Sequence, residues 1–595
     1  MKINCELKFL TRVIPVVLAL FCVSCSGPDV TVKELKKHIV FLSSDSLKGR
    51  MTAENGDSIA AAYIKKEFAS YGIMPFSGDG FQRFKIATKI VPGESNNLII
   101  NGIDYVSEED FIPPAFSSNS TLESEVIFAG YGFNINNDSL QWNDYKDLDV
   151  KGKWILILRG DPESDSLRSP FIPFGGDRDK ALLAKDMGAA GVLMVSGPAF
   201  SPKDDFEALN SQDHSVDIPV LKIKREIADV ILSKSKKTVA DLEKKLNSDR
   251  KPFNFPTGIS VTGTADIIRK EENTRNVVML LPGNDKDLKD EYIVIGAHFD
   301  HIGMGGTGSS SRAVDTIAIH HGADDNASGI ALMLELAEKL SYLKGNHKRS
   351  ILFIAFSGEE MGLLGSKYFA DNPGIELLKV NAMINLDMVG RLQNSGVLQI
   401  TGAGTAEGLK DILNTNPDTT SLKLKLSDEG YGPSDHSSFY GKNIPVLFFT
   451  TGAHLDYHTP EDTWDKINYE GIVTISDYVY STALTLATSP ERLKFRESGP
   501  KPEPGRVVRR KGVTLGIMPD FAGNVKNGLR ADFVTPAKPA AIGGMIKGDI
   551  ITAINGKSVN NIQDYMYRMS QIKHGQTINV EVLREEKKLI LLIQL

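Results

Sequence analysis

Histidines and carboxylates that could bind a metal are concentrated in the middle of the chain, in residues 298–458. Eight of the 11 histidines lie there, far more than even spacing would place. The three cysteines (Cys5, Cys22 and Cys25) all lie within the first 25 residues. This distribution excludes a disulfide scaffold and a thiolate metal site in the body of the protein. Imidazole and carboxylate ligands without thiolate favour zinc, with cobalt or manganese as alternatives.

Five of these residues stand where an α/β sheet would bring them together. Each follows an apolar run or precedes a helical segment; they are His298, Asp325, Glu360, Asp387 and His458. Ligand sites of open α/β sheets lie beyond the carboxyl ends of the strands, so we expect these side chains to meet in one crevice. Three carboxylates around one zinc would carry excess negative charge. Two divalent ions with three carboxylates and a hydroxide form a neutral cluster, which leaves Glu359 free as a base.

The elements that must position these residues can be predicted from hydrophobic patterning. Five continuous apolar runs predict strands covered on both faces: Val277–Leu281, Tyr292–Ala297, Ile351–Phe356, Ala382–Leu386 and Val446–Phe449. Helical segments are predicted between them at Ser328–Tyr342 and Gly362–Phe369. Residues 276–485 are therefore predicted to form an open, mostly parallel α/β sheet with helices on both faces.

These residues also lie in five short motifs that resemble those of a known enzyme family. The motifs are His298-Phe299-Asp300, Gly322-Ala323-Asp324-Asp325-Asn326-Ala327-Ser328-Gly329, Ser357-Gly358-Glu359-Glu360-Met361-Gly362, Asn385-Leu386-Asp387-Met388-Val389-Gly390 and Tyr457-His458-Thr459-Pro460. Together, and in this order, they resemble the co-catalytic zinc aminopeptidases, metallopeptidase family twenty-eight. The resemblance implies a zinc aminopeptidase-like fold.

The resemblance also implies a role for each residue. Asp325 would bridge two zinc ions, His298 and Asp387 would complete one site, and Glu360 and His458 would complete the other. Glu359 would be the general base. Asp300 would not bind the metal itself but would hold the ring of His298 in place. Tyr457 would donate to the oxyanion, and the peptide bond after Asp325 would be cis.

The function predicted from these roles is zinc-dependent exopeptidase activity, most simply that of an aminopeptidase that removes N-terminal residues from peptides. Two alternatives remain open. One is a glutaminyl-cyclase-like transferase that uses one zinc ion. The other is a catalytically dead, peptide-binding scaffold. His301, His320, His321 and His454 match no ligand position of the family and are expected to be surface or loop histidines.

Two flanking regions resemble other domains. Glycine-rich pieces such as Glu125–Gly132 and Val150–Ile155 resemble an inserted, β-rich protease-associated domain, which would shape the substrate entrance. Ile546–Ile551 and Ile554–Lys557 resemble a bacterial PDZ domain. Its carboxylate-binding loop and strand would be Leu515, Gly516, Ile517 and Met518, to which a peptide C-terminus could add as a strand.

The N-terminus reads as an export signal. Basic residues precede the apolar run 13–23, which is too short to span a bilayer. Val23-Ser24-Cys25 resembles a bacterial lipobox, with Cys25 as the lipidated residue. We therefore expect an exported protein, either an outer-membrane lipoprotein or periplasmic, in a Gram-negative-type bacterium. The net charge of −7 shows no excess of basic residues, so nucleic acid is not expected as a partner.

The chain is thus expected to consist of six segments. These are 1–25, the signal peptide with its lipobox; 30–120, the N-terminal part of the peptidase domain; 121–262, the protease-associated domain; 263–490, the di-zinc peptidase domain; 491–512, a linker; and 513–595, the PDZ domain.

Overall fold

The computed structural model describes residues 28–595 apart from short gaps. The gaps are 138–139, 164–165, 167–168, 208, 210–213, 307–308, 314–315, 344, 417–421, 500–512, 521–524, 526 and 536. The predicted signal peptide with Cys25, and residues 500–512 of the predicted linker, lie outside the described residues. Within the part of the chain that is described, no helix combines the length and hydropathy needed to cross a membrane.

Within the described residues, the first elements are two helices, a two-residue strand and a long strand. They are α1 (Val32–Leu42), α2 (Asn55–Ser70), β1 (Met74–Pro75) and β2 (Phe81–Pro92). Thr31 caps the N-terminus of helix α1, and its side chain accepts a hydrogen bond from the N–H of Glu34. Its residues Leu35 and Ile39 are fully buried, as the helical period of the apolar residues predicts.

A second sheet follows, with eight strands. Its region contains β3 (Asn97–Ile100), β4 (Ile103–Tyr105), β5 (Phe111–Ile112), β6 (Ser120–Ala129), β7 (Asn134–Asn136), β8 (Gln141–Asn143), β9 (Trp154–Leu158), α3 (Asp177–Asp186), β10 (Gly191–Val195), β11 (Val220–Ile223), α4 (Arg225–Leu232), α5 (Val239–Asp249) and β12 (Asn254–Ala265). The strand order is β4-β3-β12-β6-β9-β10-β11-β5, and β7 pairs only with β8. Three strands of this sheet precede residue 121, where the sequence places the start of the domain.

The chain then returns to the first sheet. The elements are β13 (Ile267–Leu281), β14 (Tyr292–His298), α6 (Gly329–Ser341), β15 (Ser350–Phe356), α7 (Leu364–Asp371), β16 (Val380–Leu386), β17 (Val397–Thr401), α8 (Leu409–Asn414), β18 (Lys423–Leu426), α9 (His436–Tyr440), β19 (Val446–Thr450) and α10 (Tyr469–Thr488). The order is β1-β13-β15-β14-β16-β19-β17-β18, with β2 also paired to β13.

The nine-stranded sheet is mixed, with four parallel strands at its centre and a parallel pair, β17 and β18, at one edge. Strands β15, β14, β16 and β19 run parallel, whereas β13 and β17 join them antiparallel. Alternate residues of β14 enter two separate cores. Ile293 and Ile295 pack with α1, α2, α6 and α10, while Val294 packs with α7 and α9. Both faces are covered by helices, which is why the strands read as continuous apolar runs and confirms the predicted α/β fold.

The C-terminal residues form a small β domain. Its elements are β20 (Ile517–Pro519), β21 (Leu529–Val534), α11 (Pro539–Ile542), β22 (Ile550–Ile554), β23 (Lys557–Ser558), α12 (Ile562–Ser570), β24 (Thr577–Arg584) and β25 (Lys587–Gln594). The strand order is β20-β21-β22-β24-β25, so β20 is an edge strand.

Candidate metal centre

A first group of possible metal ligands lies at the carboxyl ends of two neighbouring strands. His298 is the last residue of β14, and Asp387 directly follows β16. The Nε2 atom of His298 lies 3.4 Å from Oδ1 of Asp387 and 3.3 Å from Oδ1 of Asp325. Asp325 comes from the turn that precedes α6, and its peptide bond to Asn326 is cis, as the resemblance implies. All three side chains are at most 10% exposed.

A second group lies on the other side of Asp325. The Nε2 atom of His458 is 3.2 Å from Oδ2 of Asp325 and 3.1 Å from Oε2 of Glu360. Glu360 follows β15, and His458 lies in the loop between β19 and α10. The two oxygens of Asp325 therefore face different groups, which is the arrangement that a bridging carboxylate requires.

The spacing of these atoms fits metal coordination. Four ligands placed tetrahedrally at about 2.0–2.1 Å from zinc lie about 3.3 Å from one another. The nitrogen-to-oxygen distances around Asp325 are 3.1–3.4 Å. The Nε2 atoms of His298 and His458 are buried and have no hydrogen-bond partner among the described residues. A cation between these buried nitrogens and the carboxylate oxygens that face them would satisfy both.

The other ring nitrogen of each histidine is held by the main chain. Nδ1 of His298 lies 3.2 Å from the carbonyl oxygen of Asp300, and Nδ1 of His458 lies 3.0 Å from that of Ser310. A carbonyl can only accept, so each Nδ1 carries a proton, and in the neutral form of each ring Nε2 presents a lone pair. This tautomer is the one that ligates a metal through Nε2.

Asp300 contacts His298 through its carbonyl, while its carboxylate has a different task. The carboxylate lies 3.7 Å from the ring of His298. It accepts the N–H groups of Glu359 at 3.1 Å and Glu360 at 3.3 Å, and the hydroxyl of Thr52 at 2.9 Å. Asp300 therefore orients the loop that carries both glutamates, a role that the motif alone did not indicate.

His301 lies in a loop, as expected of a surface or loop histidine, but it belongs to the centre. It is fully buried, and its Nδ1 lies 2.7 Å from Oε1 of Glu360. His320 is also fully buried, and it contacts Ser311 at 2.8 Å. Both residues lie in loops, but neither is at the surface, because a loop packed against a buried centre is itself buried. The sequence signal for His301 was its distance of only three residues from His298.

The carboxyl group of Glu359 lies within the centre but outside both ligand groups. Burial, followed by the charges of Glu360, Asp435 and Asp387, raises the pKa of Glu359 well above its ordinary value, against the opposing effect of His298. Burial alone would lower the pKa of His458, but contacts with Asp325 and Glu360 outweigh it and raise the pKa to about 10. Strong opposing shifts among close buried groups are typical of functional sites.

Tyr457 lies at the edge of the centre. Its ring stacks on the imidazole of His458, with the ring centroids 3.8 Å apart and the planes 25° apart. Burial and the nearby carboxylates of Asp325 and Glu360 raise the pKa of its phenol, so the hydroxyl keeps its proton and remains a donor.

Asp462 and Ser434 position two of the predicted ligands. Asp462 accepts the N–H of Asp325 at 3.1 Å and the guanidinium of Arg391 at 3.0 Å. The hydroxyl of Ser434 donates to Asp387 at 2.7 Å. Both side chains are fully buried, and they restrict the orientation of the carboxylates as outer contacts of a metal site do.

The residues of the predicted peptide-binding loop already form contacts within the C-terminal domain. Leu515 is buried, and its carbonyl accepts the N–H of Ala540 at 2.9 Å. The N–H of Gly516 donates to the Thr514 hydroxyl at 3.2 Å. Ile517 and Met518 belong to the edge strand β20.

Three segments of the chain match known protein families. Residues 276–483 match peptidase family M28, residues 108–231 match the PA domain and residues 515–595 match the PDZ domain. The PA match thus starts before residue 121 and ends before residue 262.

Among characterised proteins, the chain is similar to several aminopeptidases. It is 27% identical over 383 residues to "Aminopeptidase YwaD" of Bacillus subtilis, which covers 62% of this chain and 69% of that protein. It is 26% identical over 233 residues to "Leucine aminopeptidase 1" of Aspergillus fumigatus, which covers 36% of this chain and 56% of that protein. The chain therefore spans only part of the length of these relatives.

Two solved structures are also similar. An aminopeptidase from Aneurinibacillus sp. strain AM-1 is 23% identical with a TM-score of 0.45, covering 78% of this chain and 96% of its own. The zinc aminopeptidase BSAP from Bacillus subtilis is 21% identical with a TM-score of 0.44, covering 77% and 95%.

Proposed function

We propose that this chain, whose residues 276–483 belong to peptidase family M28, is a zinc-dependent aminopeptidase. The observation that carries the proposal is the pair of histidine–carboxylate groups that share Asp325. Relatives that are named aminopeptidases support the same reaction class.

The proposed centre holds two zinc ions. His298, Asp325 and Asp387 would hold one ion, and Asp325, Glu360 and His458 the other. His301 lies close enough to Glu360 to fix that carboxylate. When bound, zinc would lower the pKa of a coordinated water and polarise the scissile carbonyl.

Glu359 is the proposed general base. Its carboxyl group lies beside Glu360 and His458 on the wall of a cavity of about 550 Å³, where a peptide bond can reach it. It takes a proton from the attacking water and returns that proton to the leaving amine. Asp300 fixes the main chain on which this carboxyl group stands.

Tyr457 is the proposed donor to the oxyanion that forms as the carbonyl is attacked. Its stacking on His458 holds the ring beside the centre. The surplus of carboxylates would attract the free α-ammonium group of a substrate, which favours cleavage of the N-terminal residue.

Hydrolysis of aminoacyl-p-nitroanilides, with and without a chelator, tests this function. We expect chelator-sensitive hydrolysis that zinc restores, with two zinc ions per active chain. One zinc ion per chain, with cyclisation of N-terminal glutamine, would instead support the cyclase-like alternative. Absence of chelator-sensitive hydrolysis of any peptide would support the catalytically dead scaffold.

We also propose export and lipid attachment at Cys25, supported by the residues that resemble a lipobox. Incorporation of labelled palmitate in a bacterial host tests this proposal, with Cys25→Ser as the control. Label retained in Cys25→Ser would contradict it.

A further inference from the structure

The cavity that contains Glu359 is lined by two domains. At one end lie Glu359, Glu360 and His458. Helix α7 contributes Lys367, Ala370 and Asp371 along one side. The C-terminal domain supplies the far wall, with the lining residues Met518, Pro519, Asp520, Arg530, Asp532 and Lys547. The volume of about 550 Å³ lies within the range of about 300–1,000 Å³ typical of small-molecule sites.

Buried contacts hold the C-terminal domain in this position. On the peptidase side, the hydroxyl of Tyr431 donates to the carbonyl of Asp532 at 2.8 Å, and its ring packs on Phe533. On the other side, Arg568 of α12 binds Asp186 of α3 through two bonds of 2.6 and 3.0 Å. These two side chains are 3% and 9% exposed, so the domain is anchored on both sides.

The edge strand β20 is poorly suited to pair with an additional strand. Its last residue is Pro519, which has no N–H to donate to an added peptide. Met518 and Pro519 instead face the cavity that leads to Glu359. This strand therefore serves better as a wall of the catalytic cleft than as a separate binding edge.

Two cations that line the cavity, Lys367 and Lys547, form no ion pair with a described carboxylate. Lys547 is exposed and donates to the side-chain oxygen of Asn443 at 2.8 Å, which leaves Lys367 as the half-buried cation of the cleft. Arg530 is neutralised by Asp520 and Asp532, and Lys442 by Asp371 at 2.6 Å. The one hydrogen bond of Lys367, of 3.1 Å, goes to the carbonyl of Gly362. Two of its ammonium donors are thus left for a ligand in the cleft.

We propose that the peptidase and PDZ domains together form the substrate cleft, in which Lys367 binds the C-terminal carboxylate of a short peptide. This inference rests on the proposed aminopeptidase function and names its substrate class. The N-terminal residue lies at the metal centre, and the peptide extends along α7 towards the PDZ wall. A charge-assisted bond to a carboxylate in a partly buried cleft favours the free acid over the neutral amide.

Steady-state kinetics with three matched peptides test the proposal in the full chain. The peptides are leucyl-glycyl-glycine, its C-terminal amide, and leucyl-glycyl-glutamic acid with an amidated C-terminus. We expect wild-type kcat/KM for the free acid to exceed that for the amide by about tenfold or more, mainly through KM. The glutamyl amide separates a side-chain carboxylate from a C-terminal one, and it should resemble the simple amide.

Lys367→Met should bring the acid-to-amide ratio close to one, and Lys367→Arg should retain most of it. The ratio is decisive because damage to the fold would lower the rates for both peptides alike. Lys442→Met is the matched control, since Lys442 lines the same cavity but is already paired with Asp371; its ratio should equal that of the wild type.

The outcomes distinguish failure of the carboxylate-binding role of Lys367 from failure of the aminopeptidase function. Chelator-sensitive hydrolysis without preference for the free acid, or a ratio unchanged in Lys367→Met, would overturn the inference and leave the aminopeptidase function intact. Equal preference for the glutamyl amide would overturn the assignment to the C-terminus. Failure to hydrolyse any of the three peptides or any aminoacyl-p-nitroanilide would overturn the proposed function itself.

Discussion

Arg50 joins the N-terminal segment to the loops of the metal centre, and its replacement gives a quantitative prediction. The side chain is 1% exposed. It donates to the carbonyls of Phe299 at 2.7 Å, His321 at 2.8 Å and Gly322 at 2.9 Å, and also to that of Leu42. Phe299 follows His298, and Gly322 begins the turn that contains Asp325. Arg50 therefore fixes two loops that carry predicted ligands.

Arg50→Met keeps most of the side-chain volume but removes every donor. Three of the four accepting carbonyls are buried, namely those of Leu42, Phe299 and Gly322. At about 1.5 kcal/mol for each charge-assisted bond, the variant loses about 4–5 kcal/mol of the free energy of unfolding. For a domain of 150–250 residues this corresponds to a decrease in Tm of about 10–15 °C.

The assay is thermal unfolding, followed by calorimetry and combined with the zinc content after dialysis. Arg50→Met should unfold at the lower temperature and also lose zinc, because its two loops carry His298 and Asp325. Arg83→Met is the control: Arg83 forms an exposed ion pair with Asp79, so the change in stability should stay below about 1 kcal/mol. Equal Tm values and equal zinc content in the two variants would refute the reasoning.

Three further predictions concern other parts of the chain. Tyr457→Phe should lower kcat by about 10²–10³ with unchanged zinc content, as loss of an oxyanion donor does, and an unchanged kcat would remove Tyr457 from that role. Arg568→Met should destabilise the chain by about 3–5 kcal/mol in thermal unfolding, because the buried carboxylate of Asp186 loses its buried partner. Lys557→Met is the control: Lys557 also contacts Asp186 but is exposed, so its loss should have little effect. Equal effects of the two changes would contradict the anchoring contact. Burial raises the pKa of Asp144 to about 7, so the folded state binds more protons than the unfolded state between about pH 4 and 7, and stability falls as pH rises through that window. Asp144→Asn should therefore come closest to the wild-type Tm at about pH 4 and exceed it most at pH 8, and a difference independent of pH would contradict this.

The sequence predicted the centre of the fold well for a physical reason. Strands covered on both faces are continuous apolar runs, so β14, β15, β16 and β19 are visible as hydrophobic stretches. Parallel strands end at the same edge of a sheet, and this rule brings His298, Asp387 and Glu360 together before any coordinates are known. The predicted ligands are thus the residues whose position follows from the strand that precedes them.

The residues that the sequence did not predict reach the centre by other routes. Arg50 and Thr52 come from an N-terminal loop more than 200 residues from the motifs they contact. Asp462 acts through a bond to the main chain of Asp325, and no spacing rule marks such a contact. His301 was expected to be a surface or loop histidine without a role at the centre because loops are usually exposed, whereas this loop lies against the buried carboxylates.

The position of the PDZ domain could not be predicted from the sequence either. Its own motifs specify how its strands fold, but the bond from Arg568 to Asp186 joins residues 382 positions apart. Such contacts between domains depend on the shapes of both surfaces. They turn a predicted separate binding module into a wall of the cavity that contains Glu359.

The activity of Glu359→Gln at full zinc occupancy tests the central claim most directly. Glutamine keeps the shape of the side chain but cannot accept and return a proton. We expect two zinc ions per chain, as in the wild type, and a kcat lower by about 10²–10⁴. Near wild-type turnover with both ions bound would contradict the assignment of Glu359 as the base, and with it the proposed mechanism.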